Sequence, residues 1–387
     1  MSRIVVVVVC DNPNPTTDGF VNRVRLVVSS LRERHEVVVV GIAPERSMLV
    51  DYVDVPLVDA TGFIPLRSRV DRVVRTLQLR LGRLGFTRFE HRLEEAVGAL
   101  SPDVILAMTY RRCDLVRAVR GIAPTVLFAE ERFGRASGSR ATKARAFIAN
   151  ALGSAQRDSA RHLPGVVVLT PDEQAWARRR YESPIFVVPH GFDHAYWSQP
   201  VAPWRGAGPF DVLVVGNFQL ERNSESLLSI LDALDRQGWP DTLRFVVVSG
   251  TGYPPTLHAR QGDRLELVGA VDDLRPHYAG SRATLVPAFR AFGSKNGILQ
   301  GWGARCSVVT TTASAATAGA TDGLDALIGT DPAEVATLLS TLEDFDLDQL
   351  VENGSARIAE AFSAAVHDEA LNTLVAGVSA APDERRG

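Results

Sequence analysis

The sequence of 387 residues is short of cysteine, lysine and long apolar runs. Its three cysteines, Cys10, Cys113 and Cys306, are far apart and show no paired spacing. That excludes a disulfide framework and a cysteine-rich metal site. Each lies in or beside an apolar run, where a thiol serves as a small buried hydrophobe. Free thiols in turn imply a reducing compartment, the cytoplasm. Lys143 and Lys295 are the only lysines among 42 basic residues, so a lysine at a functional position stands out. No segment approaches the ~18 uninterrupted apolar residues of a membrane span. The opening stretch MSRIVVVVVCDNPNP has too short an apolar run for a signal peptide and reads as a first buried strand. A net charge of −3 gives no support to nucleic-acid binding. No His, Cys and acid cluster has metal-ligand spacing, and neither a P-loop nor a serine-nucleophile elbow occurs.

What is present is an ordinary globular composition, 45% hydrophobic and 22% charged, in a chain long enough for two domains. Residues 1–200 hold 28 Lys+Arg against 21 Asp+Glu, and residues 201–387 hold 14 against 24. A basic half followed by an acidic half predicts two bodies with different duties. Ile4–Val9, Glu36–Gly41, Val104–Met108, Thr125–Phe128 and Val166–Thr170 are continuous β-branched runs, each followed by a helix-like or polar stretch. Strands without polar alternation are covered on both faces, which predicts a parallel sheet with right-handed crossovers. The rhythm breaks at the linker-like PVAPWRGAGP (Pro200–Pro209) and restarts at Val212–Val215, Arg244–Ser249, Leu265–Val268, Thr284–Val286 and Val308–Thr311. The predicted architecture is α/β, two doubly wound Rossmann-like domains facing a cleft. Its parts are a first domain over 1–197, a linker over 198–209 and a second domain over 210–354. A C-terminal helix over 355–376 follows, with Ser355 as N-cap and Gly377 as stop, returning toward the first domain. Residues 377–387 read as a frayed tail.

The segment TLVPAFRAFGSKNGILQGWGARCSVVTTT (Thr284–Thr312) reads as strand, loop, short helix over Ile298–Ala304, and strand. Arg290, Gly293, Ser294, Lys295 and Asn296 lie between the first strand and the helix. Free backbone N–H groups, the helix dipole and one of the two lysines make this a site for an anion such as phosphate.

Several segments, in order over nearly the whole chain, resemble GT-B glycosyltransferases, in particular the large retaining family numbered four. DNPNPTTDGFVNRVRLVVSSL (Asp11–Leu31) resembles its acceptor loop and first helix. VVPHGFDHAYW (Val187–Trp197) resembles its hinge-side motif, with His190 in place of Asn. VLVVGNFQLERNSESLLSIL (Val212–Leu231) resembles the opening of the donor domain, and LELVGAVDDLRPHYAGSRATLVP (Leu265–Pro287) the later strand–helix–strand. The Arg290–Thr310 stretch falls where the family keeps its donor-phosphate motif. The resemblance implies transfer of a sugar from a nucleotide-diphosphate sugar to an acceptor hydroxyl, with retention, without metal and without a cofactor. The chain departs from the pattern where it matters: Phe292 and Gln300 stand where the family has a pair of glutamates. Asn217 and Arg222 stand near its Arg and Lys after the first donor-domain strand, and Gly297 replaces the lysine of a related subclass.

The candidate catalytic residues are Lys295, Arg290 and Glu130. On the donor side stand Gly216, Asn217, Arg222, Gly293, Ser294, Asn296 and Gln300. Gly216 and Asn217 follow a strand end directly, the usual place for close backbone approach to a ligand. Gln300 can meet a ribose hydroxyl as a neutral partner. On the acceptor side stand Asp18, Gly19, Phe20 and Glu131, with Glu130 or Glu131 placed to accept a hydroxyl proton. Two other readings stay open: a GT-B-like binding or partner subunit without transfer activity, and a sugar-nucleotide epimerase. From Arg67 to Arg92 there are eight arginines against two acids, with apolar residues at helical spacing. This fits either a basic amphipathic helix on an anionic membrane face or lipid-linked acceptor, or a domain helix with a solvated arginine face. The loop Arg132–Arg145 adds four arginines and Lys143.

Overall fold

Runs of β-branched residues with no polar partner face form the centres of two parallel sheets. The computed structural model describes residues 2–9, 19–42, 57–59, 88–108, 116–129, 160–204, 212–289 and 296–379. They belong to two compact units, Met1–His190 with His367–Gly387, and Gly191–Val366.

In the first unit the elements are β1 (Arg3–Val9), α1 (Gly19–Arg32), β2 (Glu36–Ile42), β3 (Leu57–Asp59), α2 (Arg88–Gly98), β4 (Val104–Met108), α3 (Val116–Val119), β5 (Thr125–Phe128), β6 (Gly165–Val168), α4 (Pro171–Arg178) and β7 (Ile185–Val187). The sheet order is β3-β2-β1-β4-β5-β6-β7, all parallel. β1 shows why the run is unbroken. Ile4, Val6 and Val8 face one layer with Val24, Val27 and Leu31 of α1. Val5 and Val7 face the other, with Leu93 and Val97 of α2. Successive side chains point to opposite faces, so a strand buried on both must be apolar throughout.

The second unit holds α5 (His194–Trp197), β8 (Val212–Val215), α6 (Glu221–Gln237), β9 (Phe245–Val248), α7 (Pro255–His258), β10 (Leu265–Val268), α8 (Arg275–Ala279), β11 (Ala283–Val286), α9 (Asn296–Gly303), β12 (Ser307–Thr311), α10 (Thr312–Ala318), β13 (Leu327–Gly329), α11 (Pro332–Ser340) and α12 (Leu347–Ala361). Its order is β10-β9-β8-β11-β12-β13. In both sheets the order reverses next to the first strand, at β1/β4 and at β8/β11. In doubly wound sheets ligands bind beyond the strand carboxyl ends at this switch point.

The single helix expected over 355–376 is two helices, α12 and α13 (Ala364–Ser379). Phe362 leaves helical geometry at φ −131, and its carbonyl accepts from the Phe192 N–H at 3.0 Å. Its ring packs near the buried Trp302. The true N-cap of α12 is Asp346, whose side chain accepts from the Gln349 N–H at 3.0 Å, so Ser355 is mid-helix. Gly377 lies inside α13 and stops nothing. Leu371, Leu374, Val375 and Val378 of α13 pack into the core of the first unit, so the return of the last helix to that unit holds. The compact units divide at His190/Gly191, before the proline-rich stretch. Trp204 of that stretch stacks on His277 at 4.4 Å, and its N–H donates to the Pro276 carbonyl at 3.1 Å. Among the described residues no helix is long and apolar enough to cross a membrane. The arginine-rich segment lies outside the described residues except at Arg88–Arg92, which begin α2, and Arg132–Arg145 lies wholly outside them.

Candidate functional site

The residues that follow β8 form a latched loop at the switch point of the second sheet. Gly216 closes the strand, its N–H donating to the Val248 carbonyl at 3.1 Å. Asn217 then turns the chain: its Oδ1 accepts from the Gln219 N–H at 3.1 Å and from Thr251 Oγ1 at 2.8 Å. The Asn217 carbonyl accepts from Asn223 Nδ2 at 2.8 Å, tying the loop to the first turn of α6. Phe218 is buried and stacks on Tyr253 at 6.0 Å. The Tyr253 hydroxyl donates to the carbonyls of Val247 at 2.6 Å and of Val268, and burial pushes its phenol up to about 12. Arg222 is exposed in the first turn of α6.

Beyond β11, which neighbours β8, the chain enters α9. This helix, NGILQGWG, is rich in glycine because it lies against its own strands. A Cβ at Gly301 would meet Thr284 Cγ2 at 2.7 Å and Val308 Cγ2 at 2.8 Å; one at Gly303 would meet Phe192 Cε1 at 2.3 Å. Ile298, Leu299 and Trp302 are buried, and the Trp302 indole donates to the Asp325 carbonyl at 2.7 Å. Gln300 is half-buried, and its Oε1 accepts from the Tyr278 hydroxyl at 3.1 Å. Tyr278 is 1% exposed, and burial holds its phenol far above the ordinary range, so it stays a donor. Cys306, close by in sequence, is buried and pushed up to about 12 by desolvation, an inert thiol.

Gly216, Asn217 and Arg222 follow β8, and Asn296 and Gln300 lie on α9, which follows β11, the strand beside β8. Arg290, Gly293, Ser294 and Lys295 lie outside the described residues, as do Asp18, Glu130 and Glu131. Gly19 and Phe20 are the first two residues of α1, in the other unit. Sequence reasoning missed Thr251 and Tyr278, whose hydroxyls donate to the candidate residues Asn217 and Gln300. The only signal for Thr251 was a small-residue turn, Ser249–Gly252, after a strand. Among the described residues no group of three or more His, Cys, Asp or Glu side chains could hold a metal ion.

Residues 209–344, which contain both loops, match the family model described as Glycosyl transferases group 1. This region is a group 1 glycosyltransferase domain. Solved structures of the same fold include Anabaena HepE in complex with UDP-glucose, at 14% identity and a TM-score of 0.75, covering 97% of this chain and 100% of that one. Sucrose-phosphate synthase from Thermosynechococcus elongatus is similar at 15% identity and a TM-score of 0.74, over 99% and 100% of the two chains. The pneumococcal O-GlcNAc transferase GtfA, in complex with UDP and GlcNAc, gives 10%, 0.66, and coverage of 98% and 99%. No curated protein matches the chain in sequence. The chain thus has the GT-B fold that the sequence resemblance implies, with a glycosyltransferase family match over residues 209–344.

Proposed function

We propose that this glycosyltransferase binds a nucleotide-diphosphate sugar at the β8/β11 switch point and transfers its sugar to an acceptor hydroxyl, with retention and without a metal. In this reading the Asn217 amide and the Arg222 guanidinium approach the diphosphate from one loop. Arg290, Gly293, Ser294, Lys295 and Asn296 approach it from the other. The leaving diphosphate gathers negative charge, and one fixed donor aimed at such charge is worth on the order of 3 kcal/mol. Cationic side chains and amide N–H groups here take the part a metal plays elsewhere. Gln300 meets the ribose, and Asp18, Gly19, Phe20, Glu130 and Glu131 serve the acceptor, Glu130 as base. One observation carries the assignment: within the matched region, the strand-end loop after β8 fixes a side-chain amide whose NH2 group has no partner among the described residues.

HepE and GtfA hold UDP in their crystals, so uridine nucleotides are the first probes. Thermal shift over UDP, GDP and ADP and their sugars tests the reading; no stabilisation at millimolar nucleotide removes the donor site. A second reading, a nucleotide-sugar-binding partner without transfer activity, is favoured by the neutral Gln300 in place of a carboxylate. Lys295→Ala separates the two. In an enzyme it abolishes turnover while sparing the fold; a partner subunit shows nucleotide binding but no sugar transfer in any form.

The protein works in the cytoplasm in this proposal, with residues 67–92 resting on the anionic inner membrane face near a lipid-linked acceptor. Each arginine near such a surface contributes on the order of 1 kcal/mol, screened within a Debye length. Co-sedimentation with phosphatidylglycerol vesicles should therefore occur at low salt and vanish near roughly 0.5 M. Equal recovery with neutral vesicles points instead to a small soluble acceptor.

A further inference from the structure

We infer that Thr251 is a positioning residue of the donor site: its hydroxyl orients the Asn217 amide so that the NH2 group, and not the carbonyl oxygen, faces a ligand phosphate. The inference rests on the donor-site reading above and assigns a role to the loop after β9, which that reading leaves unused.

Thr251 Oγ1 donates to Asn217 Oδ1 at 2.8 Å across 34 residues of sequence. The Gln219 backbone N–H donates to the same atom at 3.1 Å. A backbone N–H can only donate, so the atom it meets is the carbonyl oxygen of the amide and not its nitrogen. Both lone pairs of that oxygen are then engaged. The two Nδ2 hydrogens have no partner among the described residues, and Asn217 is exposed. Thr251 is itself held. Its N–H donates to Ser249 Oγ at 3.3 Å, the buried Ser249 hydroxyl donates to the Gly252 carbonyl at 3.1 Å, and Gly252 turns the loop at φ +77. Phe218 and Tyr253, stacked on each other, carry the two loops on one aromatic pair.

The device fixes the sign of the dipole offered to the ligand. An asparagine held by the Gln219 N–H alone can swing its amide away, and a carbonyl turned outward repels a phosphate oxygen. With the threonine hydroxyl in place, the amide presents donors only, and the ligand group it selects is an acceptor-rich anion.

The test uses the full chain and calorimetric titration with UDP, GDP and ADP. For whichever nucleotide binds, Thr251→Val, which keeps the shape and loses the hydroxyl, should raise Kd about three- to tenfold, the worth of one hydrogen bond. Thr251→Ser should restore wild-type affinity, and Thr251→Val should add no further loss in an Asn217→Ala background. A valine variant that binds like wild type, or a loss that adds fully to that of Asn217→Ala, overturns the inference while leaving the donor site standing. A reduced melting temperature with unchanged Kd marks Thr251 as merely structural and also overturns it. Wild-type protein that binds none of the three nucleotides removes the donor-site reading and this inference with it. Should the valine variant prove unstable, Thr251→Ala carries the same expectations.

Discussion

Gln300 shows how one atom changes what a side chain can say to a ligand. Its Oε1 is taken by the Tyr278 hydroxyl, so the amide meets a partner chiefly as a donor, where a carboxylate would be an acceptor only. Gln300→Glu should still fold, with Tyr278 donating to one carboxylate oxygen, and should tighten binding of a nucleoside diphosphate about three- to tenfold, because the other oxygen accepts from the ribose hydroxyl as a charged partner, a bond worth ~1 kcal/mol more than the neutral one. Calorimetry on the purified variant reads this directly. Glycines give a second contrast. Gly303→Ala drives a methyl into Phe192 and should cost ~1–3 kcal/mol in chemical denaturation. Gly98→Ala, at the last position of α2 with open space around it, should stabilise by ~0.5–1 kcal/mol.

At the scale of elements, α13 is the sharpest case. Leu374 is fully buried in the core of the first unit, and Leu374→Ala should cost ~2–5 kcal/mol. Glu369→Ala, on the exposed side of the same helix, should change stability by less than ~0.5 kcal/mol in the same urea titration. The helical pattern read over 355–376 overlaps this helix but gives neither its start nor its buried stripe. The local signal at the break is Ser363, whose Oγ accepts from the Val366 N–H at 3.4 Å just before α13 begins. A hydrogen bond to Phe192, remote in sequence, and packing near Trp302 hold the break from outside. The strands divide the same way. Central runs such as Val104–Met108 and Val212–Val215 were legible because burial on both faces leaves only apolar residues. The three that escaped, β3, β7 and β13, are three-residue edges of their sheets, held by one neighbour each. The candidate site follows the same logic. Gly216 and Asn217 stand at a strand end and could be read; Thr251 and Tyr278 reach the site only through a second side chain, which no spacing reveals.

For the molecule as a whole, His367 links stability to pH. It is 2% exposed, and its Nδ1 lies 2.8 Å from the Pro189 carbonyl. Burial holds its pKa below the ordinary value; Arg23 pushes the same way, while the Pro189 carbonyl and Asp368 oppose. The unfolded imidazole takes up its proton near 6.5, and the folded one only at lower pH. Between those values the unfolded state binds more protons, so stability is full above about pH 6.5 and falls as the medium is acidified below it. Melting curves from pH 8 to 5 should show that slope. His35, also shifted downward by burial, adds in the same sense. His367→Asn, which keeps an N–H for the Pro189 carbonyl but cannot be protonated, should flatten it.

The placement of α13 also sets an order of events on the ribosome. Residues 191–366 are contiguous, so the second unit has all its parts once that stretch has left the exit tunnel. The first unit, although most of it is translated earlier, lacks one wall of its core until residues 371–378 emerge. The half that is made first is therefore completed last, and until then its apolar layer is open to chaperones and proteases. A stop codon near residue 366 should leave an intact glycosyltransferase domain tethered to an aggregating partner, visible as a protease-resistant fragment of the second unit alone.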